Sequence, residues 1–131
     1  MGWPRPNRGR IVGIAVVVAA GLGACQGGRS EADDVVVLGG DAARGERVIE
    51  EMGCGECHVI PGVGGADGMV GPPLTRWARR SYIAGTLPNA PDNLIKWIMD
   101  PHAVEPGTAM PELGVNEQQA RDMAAYLYTL K

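Results

Sequence analysis

The chain has 131 residues, with 12 Lys and Arg against 15 Asp and Glu, so its formal net charge at pH 7 is -3. This length allows one domain. The acidic balance argues against nucleic acid as a partner, because binding to phosphates requires a basic surface.

The first 24 residues have the three parts of an export signal. Arg5, Arg8 and Arg10 come first, an apolar run follows at residues 11–20, and small residues lead to Cys25. The apolar run is too short to favour a membrane-spanning helix, which needs ~20 apolar residues. We therefore predict that residues 1–24 are a signal peptide and that the protein is exported.

The sequence Leu-Gly-Ala-Cys at residues 22–25 resembles a bacterial lipobox, in which Cys25 becomes the mature N-terminus and carries the lipid. The alternatives are an ordinary signal peptide with an incidental cysteine and a retained, uncleaved anchor. Removing residues 1–24 takes away three arginines and no acid, so 9 basic residues face 15 acidic ones and the charge becomes -6. Such a chain is not held on anionic lipid by charge alone, and we expect acyl chains on Cys25 to provide the membrane attachment.

Residues 25–40 are predicted to be a lipidated, flexible tether, and residues 41–131 the domain. An apolar patch at residues 35–38 either docks on the domain or has no role. Asp41 is a suitable N-cap for a helix over residues 42–52, which Gly53 can close. Gly45 lies inside this helix, where glycine costs ~1 kcal/mol relative to alanine. We therefore expect another helix to approach closely at Gly45.

The sequence Cys54-Gly55-Glu56-Cys57-His58 has the spacing of a c-type haem attachment site. Two thiols can add across the two haem vinyl groups, and an imidazole follows for the iron. A thioredoxin-like dithiol would need a strand before the motif and a helix opening at it, whereas a helical pattern precedes this one. Structural zinc would need four ligands, and the chain has only three cysteines and two histidines in total.

Beyond the motif, the sequence predicts loops and two more helices. Residues 59–73 hold five glycines and three prolines, which is typical of a loop that wraps an object. Asn89 is predicted to cap a helix that ends at Asp100 and Pro101, and a loop then runs to Gly114. Asn116 is predicted to cap the last helix. The prediction is an all-α domain of three to four short helices and long loops, with no useful strand pattern and no phenylalanine. A buried haem would supply the missing apolar centre.

Met110 is the candidate for the second axial ligand of such a haem. It lies between Pro and Gly residues, far enough from His58 to reach the opposite haem face, and a methionine ligand raises the reduction potential. Met69 is too near His58 in sequence, and Met52 and Met123 suit core filling. His102 is the rival ligand, although it follows Pro101 at a helix end, where a solvent-exposed histidine is common.

With these motifs the chain resembles a class I cytochrome c from Asp41 to Lys131. The resemblance implies one covalent haem c, with Cys54 and Cys57 in the thioethers and His58 and Met110 as iron ligands. It also implies contacts around the haem and between helices. The Gly-Pro-x-Leu loop at residues 71–74 would let the Pro72 carbonyl accept a hydrogen bond from His58, Arg80 and Trp97 would contact the haem propionates, and Gly45 and Ile49 would lie opposite Tyr126 and Leu127. A surface arginine and a core tryptophan are the plain alternatives for Arg80 and Trp97.

Residues 85–111 resemble more closely the cytochrome c domain fused to subunit II of caa-type haem-copper oxidases. Together with the candidate ligands His58 and Met110 and the predicted export and lipidation, this resemblance predicts a monomeric electron carrier, not an enzyme, on the outer face of the bacterial cytoplasmic membrane or in the periplasm. Its donor would be a quinol-oxidising complex or a dehydrogenase, and its acceptor a terminal oxidase. The alternatives are a fixed haem subunit of an oxidase or dehydrogenase complex, a haem peroxidase and a sensor.

Overall fold

The computed structural model describes residues 1–2 and 34–131. Within residues 34–131 the chain is mainly helical, as the sequence predicts. Four α-helices, two single-turn 3-10 helices and one antiparallel pair of two-residue strands make up the regular structure. These are α1 (Ala42–Glu51), a 3-10 turn at Cys54–Glu56, another at Trp77–Arg79, β1 (Tyr82–Ile83), β2 (Leu87–Pro88), α2 (Pro91–Met99), α3 (Pro101–Val104) and α4 (Glu117–Leu127).

The first and last helices begin at the residues that the sequence predicts. The Arg44 backbone N–H donates to the Asp41 carboxylate at 2.8 Å, which satisfies an otherwise unpaired N–H at the start of α1. At α4, Asn116 accepts from the Gln119 N–H, and the Gln119 side chain accepts from the Asn116 N–H. This reciprocal pair is a capping box. Gly53, with φ of 69°, follows α1 in the left-handed conformation that glycine adopts easily.

Helices α1 and α4 cross at Gly45. A Cβ at this position would lie 1.9 Å from the Asp122 carbonyl oxygen and 3.0 Å from the Met123 nitrogen, so only glycine allows the backbones to approach this closely. The atoms nearest to this Cβ belong to Asp122 and Met123, about one turn before Tyr126 and Leu127, the residues expected opposite Gly45 and Ile49. Ile49 is fully buried, with 1% exposure, on the same side of α1.

Asn89 is not a helix cap. The N-cap of α2 is Ala90, without a side-chain hydrogen bond. The Asn89 amide instead donates to the carbonyl oxygens of Trp77 and Arg80, at 3.1 and 3.0 Å, and accepts from the Tyr128 hydroxyl at 2.9 Å. Asn89 therefore joins the 3-10 turn at Trp77–Arg79 to the end of α4.

The predicted loop after Pro101 begins with the short helix α3. Asp100 ends α2 and also caps α3, since its carboxylate accepts from the Ala103 N–H at 2.9 Å. A proline in the first turn fits this position because its missing N–H would be unpaired there. The sequence predicts that the helix ends at Asp100 because an Asp-Pro pair is typical of a helix end. Here it separates α2 from α3, which begins at the next residue.

Residues 34–40, which we name the strap, lie along α4. Val37 is buried in the core with 6% exposure, and the Gly39 carbonyl oxygen accepts from the Gln118 amide at 2.8 Å. Val37 therefore packs on the domain, although it precedes Asp41, the predicted first residue of the domain. The predicted signal peptide, apart from residues 1–2, and the lipidation site Cys25 lie outside the described residues. In residues 34–131 none of the helices has both the length and the hydropathy to cross a bilayer.

Candidate haem-binding site

The two motif cysteines lie on one tight turn. Gly53 reverses the chain after α1, and the turn at Cys54–Glu56 follows, with the Cys57 and His58 N–H groups donating to the Cys54 carbonyl oxygen at 3.3 and 3.0 Å. Both thiols are half-buried, and neither is in a disulfide. Burial raises the pKa of the Cys54 thiol, which keeps it protonated at neutral pH. The turn thus presents two reduced sulfurs and a histidine together.

The loop after the motif packs directly on it because its glycines lack side chains. A Cβ on Gly68 would lie 2.2 Å from the Glu56 carbonyl oxygen, and one on Gly55 would lie 2.7 Å from Cα of Ala66. The Gly68 N–H donates to the Gly55 carbonyl oxygen at 3.0 Å. The glycine-rich segment therefore fixes the turn that carries the cysteines.

His58 is held by the loop at residues 71–74. Its Nδ1 lies 2.7 Å from the Pro72 carbonyl oxygen, which can only accept, so Nδ1 carries the proton and Nε2 is the nitrogen with a free lone pair. The Gly71 N–H donates to the Cys57 carbonyl oxygen at 2.7 Å. A Cβ on Gly71 would lie 2.3 Å from Cε1 of the imidazole. The loop thus sets the tautomer and the orientation of the ring, as such contacts do for metal-bound histidines.

Arg80 and Trp77 lie next to this loop. The Arg80 guanidinium donates to the Pro73 carbonyl oxygen, and its central carbon is 5.2 Å from the centroid of the Trp77 ring. Trp77 is buried with 5% exposure, and its Nε1 has no hydrogen-bond partner among the described residues. A buried N–H without an acceptor is costly and calls for one from outside the protein.

From the sequence, Trp97 is expected to contact the haem propionates, and Trp77 is not singled out. Trp97 is half-buried and packs against the hydrophobic core from α2, where a plain core role suffices. Trp77 stands three residues before Arg80 and three after Leu74, so one turn of helix brings it to the arginine. That spacing was the available signal.

Met110 lies in the long loop between α3 and α4. Its N–H donates to the Thr108 hydroxyl at 3.1 Å, and the Thr108 N–H donates to the Glu105 carbonyl oxygen at 3.0 Å. These bonds form a local turn around a half-buried methionine. By comparison, Met69 is 90% exposed, and His102 is exposed on α3. Met110 therefore combines a loop position with partial shelter, which suits an iron ligand.

The residues present fit a covalently attached haem. Two adjacent thiols match its vinyl groups, a free imidazole nitrogen matches its iron, and the unpaired Trp77 N–H with the Arg80 guanidinium suits its carboxylates. Among the residues that the structure describes, there is no group of three or more His, Cys, Asp and Glu that could hold a metal ion, the arrangement that a structural zinc site requires.

Comparison with known proteins places the similarity in the same part of the chain. The family model described as Cytochrome c matches residues 42–131. Cytochrome c oxidase subunit 2 of Alkalihalophilus pseudofirmus is 38% identical over 91 residues, which cover 69% of this chain and 26% of that protein. Cytochrome c oxidase subunit 2 of Bacillus sp. strain PS3 is 32% identical over 94 residues, which again cover 69% of this chain and 26% of that protein. The chain therefore spans about a quarter of the length of these relatives.

Proposed function

This chain belongs to the cytochrome c family, an electron-transfer family with covalently bound haem c, and we propose that it is a monohaem carrier anchored to a membrane. In this proposal it accepts one electron from a quinol-oxidising complex or a dehydrogenase and donates it to a terminal haem-copper oxidase. Haem c supplies the one-electron exchange.

The observation that carries the proposal is the hydrogen bond between His58 and the Pro72 carbonyl oxygen. His58 directly follows the second of two cysteines whose thiols are free. The hydrogen bond fixes Nε2 as the nitrogen for iron and increases the basicity of the ring. We assign Cys54 and Cys57 to the thioethers and Met110 to the second axial position. With two protein ligands there is no open position for substrate, which favours electron transfer over peroxidase chemistry.

The exposed apolar residues beside the motif support a transient protein contact. Met69 and Val70 are 90% and 79% exposed, in the loop whose Gly68 packs on the backbone of Glu56 and Cys57. Redox encounters use small interfaces, below about 1,200 Å². We propose that a partner docks here, close to the thioether bonds.

The proposed location is the outer face of the bacterial cytoplasmic membrane or the periplasm. This location depends on two predictions from the sequence, that residues 1–24 are a signal peptide and that Cys25 is the lipidation site. A lipid on Cys25 would raise the effective concentration of the domain near membrane partners. The oxidase as acceptor depends on the similarity to oxidase subunit 2 proteins.

Two measurements test the haem chemistry. A haemochrome spectrum with intact mass of the exported protein is expected to give one haem, two thioethers and an acylated Cys25, and Cys54→Ala is expected to lose one thioether. Carbon monoxide is expected not to bind the reduced protein at neutral pH. Rapid binding of carbon monoxide would indicate an open iron position and favour the peroxidase or sensor alternative.

A fixed oxidase subunit is the second candidate, because the relatives named above are oxidase subunits. Purification of the membrane-bound protein separates the two cases. A free carrier is recovered largely alone and reduces the oxidase with second-order kinetics. A fixed subunit copurifies with the complex at a constant ratio.

A further inference from the structure

The strap carries an apolar surface that the haem chemistry does not use. Val36 and Leu38 are 71% and 79% exposed, while Val37 between them is 6% exposed. Val35 adds a partly exposed side chain, at 40%. The strap thus turns one side chain into the core and its neighbours outward.

The strap is fixed on the domain, so these outward side chains have a defined position. The Leu38 carbonyl oxygen accepts from the Arg121 guanidinium at 3.3 Å, and a Cβ on Gly40 would lie 2.5 Å from the Arg121 carbonyl oxygen. At the other end, the Asp34 carboxylate pairs with the Lys131 ammonium. Val35, Val36 and Leu38 are three exposed apolar side chains on one fixed segment, and such clustering of exposed apolar side chains is typical of a contact surface.

The position of the strap in the chain indicates its partner. Nine residue steps separate Cys25 from Asp34, and in any conformation they span at most about 30 Å. If Cys25 is acylated, the strap is the part of the described chain that follows the lipid attachment site most closely in sequence. We propose that Val36 and Leu38 contact the bilayer and orient the domain on it, an inference that depends on the proposed acylation of Cys25.

Charge favours an apolar contact over an electrostatic one. The chain from Cys25 onward has a net charge of -6, by the count given above, and anionic lipid repels such a domain. Among the described residues, the cations next to the strap are engaged, since Lys131 pairs with Asp34 and Arg121 with Glu117 at 2.6 Å. We therefore expect the contact to occur on neutral lipid and to persist at about 1 M salt, where the Debye length is about 3 Å.

Paramagnetic relaxation measures the orientation directly. The reduced holoprotein, labelled with ¹⁵N, is attached through Cys25 to a maleimide lipid in phosphatidylcholine nanodiscs with gadolinium-chelate headgroups. The amide signals of Val36 and Leu38 are expected to be lost first, while the Thr86 signal, between β1 and β2, remains. The double variant Val36→Ser, Leu38→Ser keeps Val37 in the core and is expected to lose this difference. A matched variant, Leu113→Ser, removes an exposed leucine outside both the strap and the proposed docking loop and is expected to retain it.

Equal broadening over the whole domain, or strongest broadening away from the strap, would overturn the inference. Strap broadening that requires an oxidase in the disc would also overturn it, in favour of a protein partner. The chemical tether keeps this test independent of acylation in the cell. Intact mass of the native exported protein reports that acylation separately. A failure of the proposed strap contact can therefore be distinguished from a failure of the proposed acylation of Cys25.

Discussion

Gly45 of α1 lies so close to Asp122 of α4 that a Cβ on the glycine would be 1.9 Å from the Asp122 carbonyl oxygen. The crossing of the two helices therefore depends on the absence of a side chain. Gly45→Ala must push the helices apart, and we expect it to lower the free energy of unfolding by about 3 kcal/mol. Guanidinium titration followed by circular dichroism measures this value. Gly64→Ala, where nothing lies within 4 Å, is the control and should have little effect.

Asp122 ties the start of α1 to α4. Its buried carboxylate accepts from the Arg44 guanidinium at 2.9 Å and from the Asp41 backbone N–H at 2.8 Å. The hydrogen bond from Arg44 is the main cause that lowers the pKa of Asp122. Because the folded pKa lies below the unfolded value of about 3.9, this stabilisation is present above pH 4 and is lost as pH falls through the folded pKa.

Asp122→Asn is accordingly expected to lower the free energy of unfolding by about 2 kcal/mol at pH 7, since hydrogen bonds to a charged group are lost. The difference from the wild type should shrink below pH 4, where the Asp122 carboxylate of the unfolded protein begins to be protonated, and should be lost once pH falls below the lowered pKa of the folded protein. Urea titrations from pH 7 to pH 2 measure it. Asp67→Asn, at an exposed carboxylate, is the matched control. If the difference in unfolding free energy between the wild type and Asp122→Asn stays constant with pH, the charge of Asp122 does not cause it.

Gly71 leaves room for the imidazole of His58. A Cβ there would lie 2.3 Å from Cε1 and 2.7 Å from Nδ1 of the ring. Gly71→Ala is expected to displace the ring from the Pro72 carbonyl oxygen and to lower the free energy of unfolding by about 1–3 kcal/mol. The reduction potential should rise, because a less basic imidazole stabilises ferric iron less well. Unchanged stability and potential would place the ring of His58 elsewhere.

Met110 and Met69 are two loop methionines that differ in exposure. Met110→Ala is expected to lower the reduction potential and to abolish the sulfur-to-iron charge-transfer band of the oxidised protein, because thioether sulfur favours ferrous iron. Met69→Ala removes a side chain that is 90% exposed and should leave the band unchanged. Absorption spectra and redox titration measure both. A band that survives in Met110→Ala would exclude Met110 as the ligand.

Trp77 has the unpaired indole N–H near Arg80, and Trp97 was the residue expected from the sequence. If the Trp77 N–H donates to a haem carboxylate, Trp77→Phe leaves that negative charge less well compensated, which favours ferric iron. We expect the reduction potential to fall in Trp77→Phe by more than in Trp97→Phe. The indole N–H resonance of Trp77 in the reduced protein should exchange slowly with solvent. The opposite order of the two variants would support the original assignment to Trp97.

The elements that the sequence predicts well are those that local chemistry decides. The caps Asp41 and Asn116 act within three residues of themselves, so their patterns identify the starts of α1 and α4. The spacing of Cys54, Cys57 and His58 is set by one turn of backbone. The loop at residues 71–74 was expected from a resemblance, and its glycine and proline have the contacts with His58 that this resemblance implies.

Other features depend on parts of the chain that meet only in the folded protein. The pattern at Asn89 suits a helix cap, but its partners Trp77 and Tyr128 come from other elements. Val37 lies in an apolar run that predicts equally well a docked or a free segment, and only the folded protein buries it in the core. By itself the sequence determined the haem motif and the helical class, because these follow from short spacings and periodicity, and its similarity to known members determined the family. Only the tertiary structure decided which glycine contact closes the α1–α4 crossing and which indole lacks an acceptor, because both depend on the relative position of separate elements.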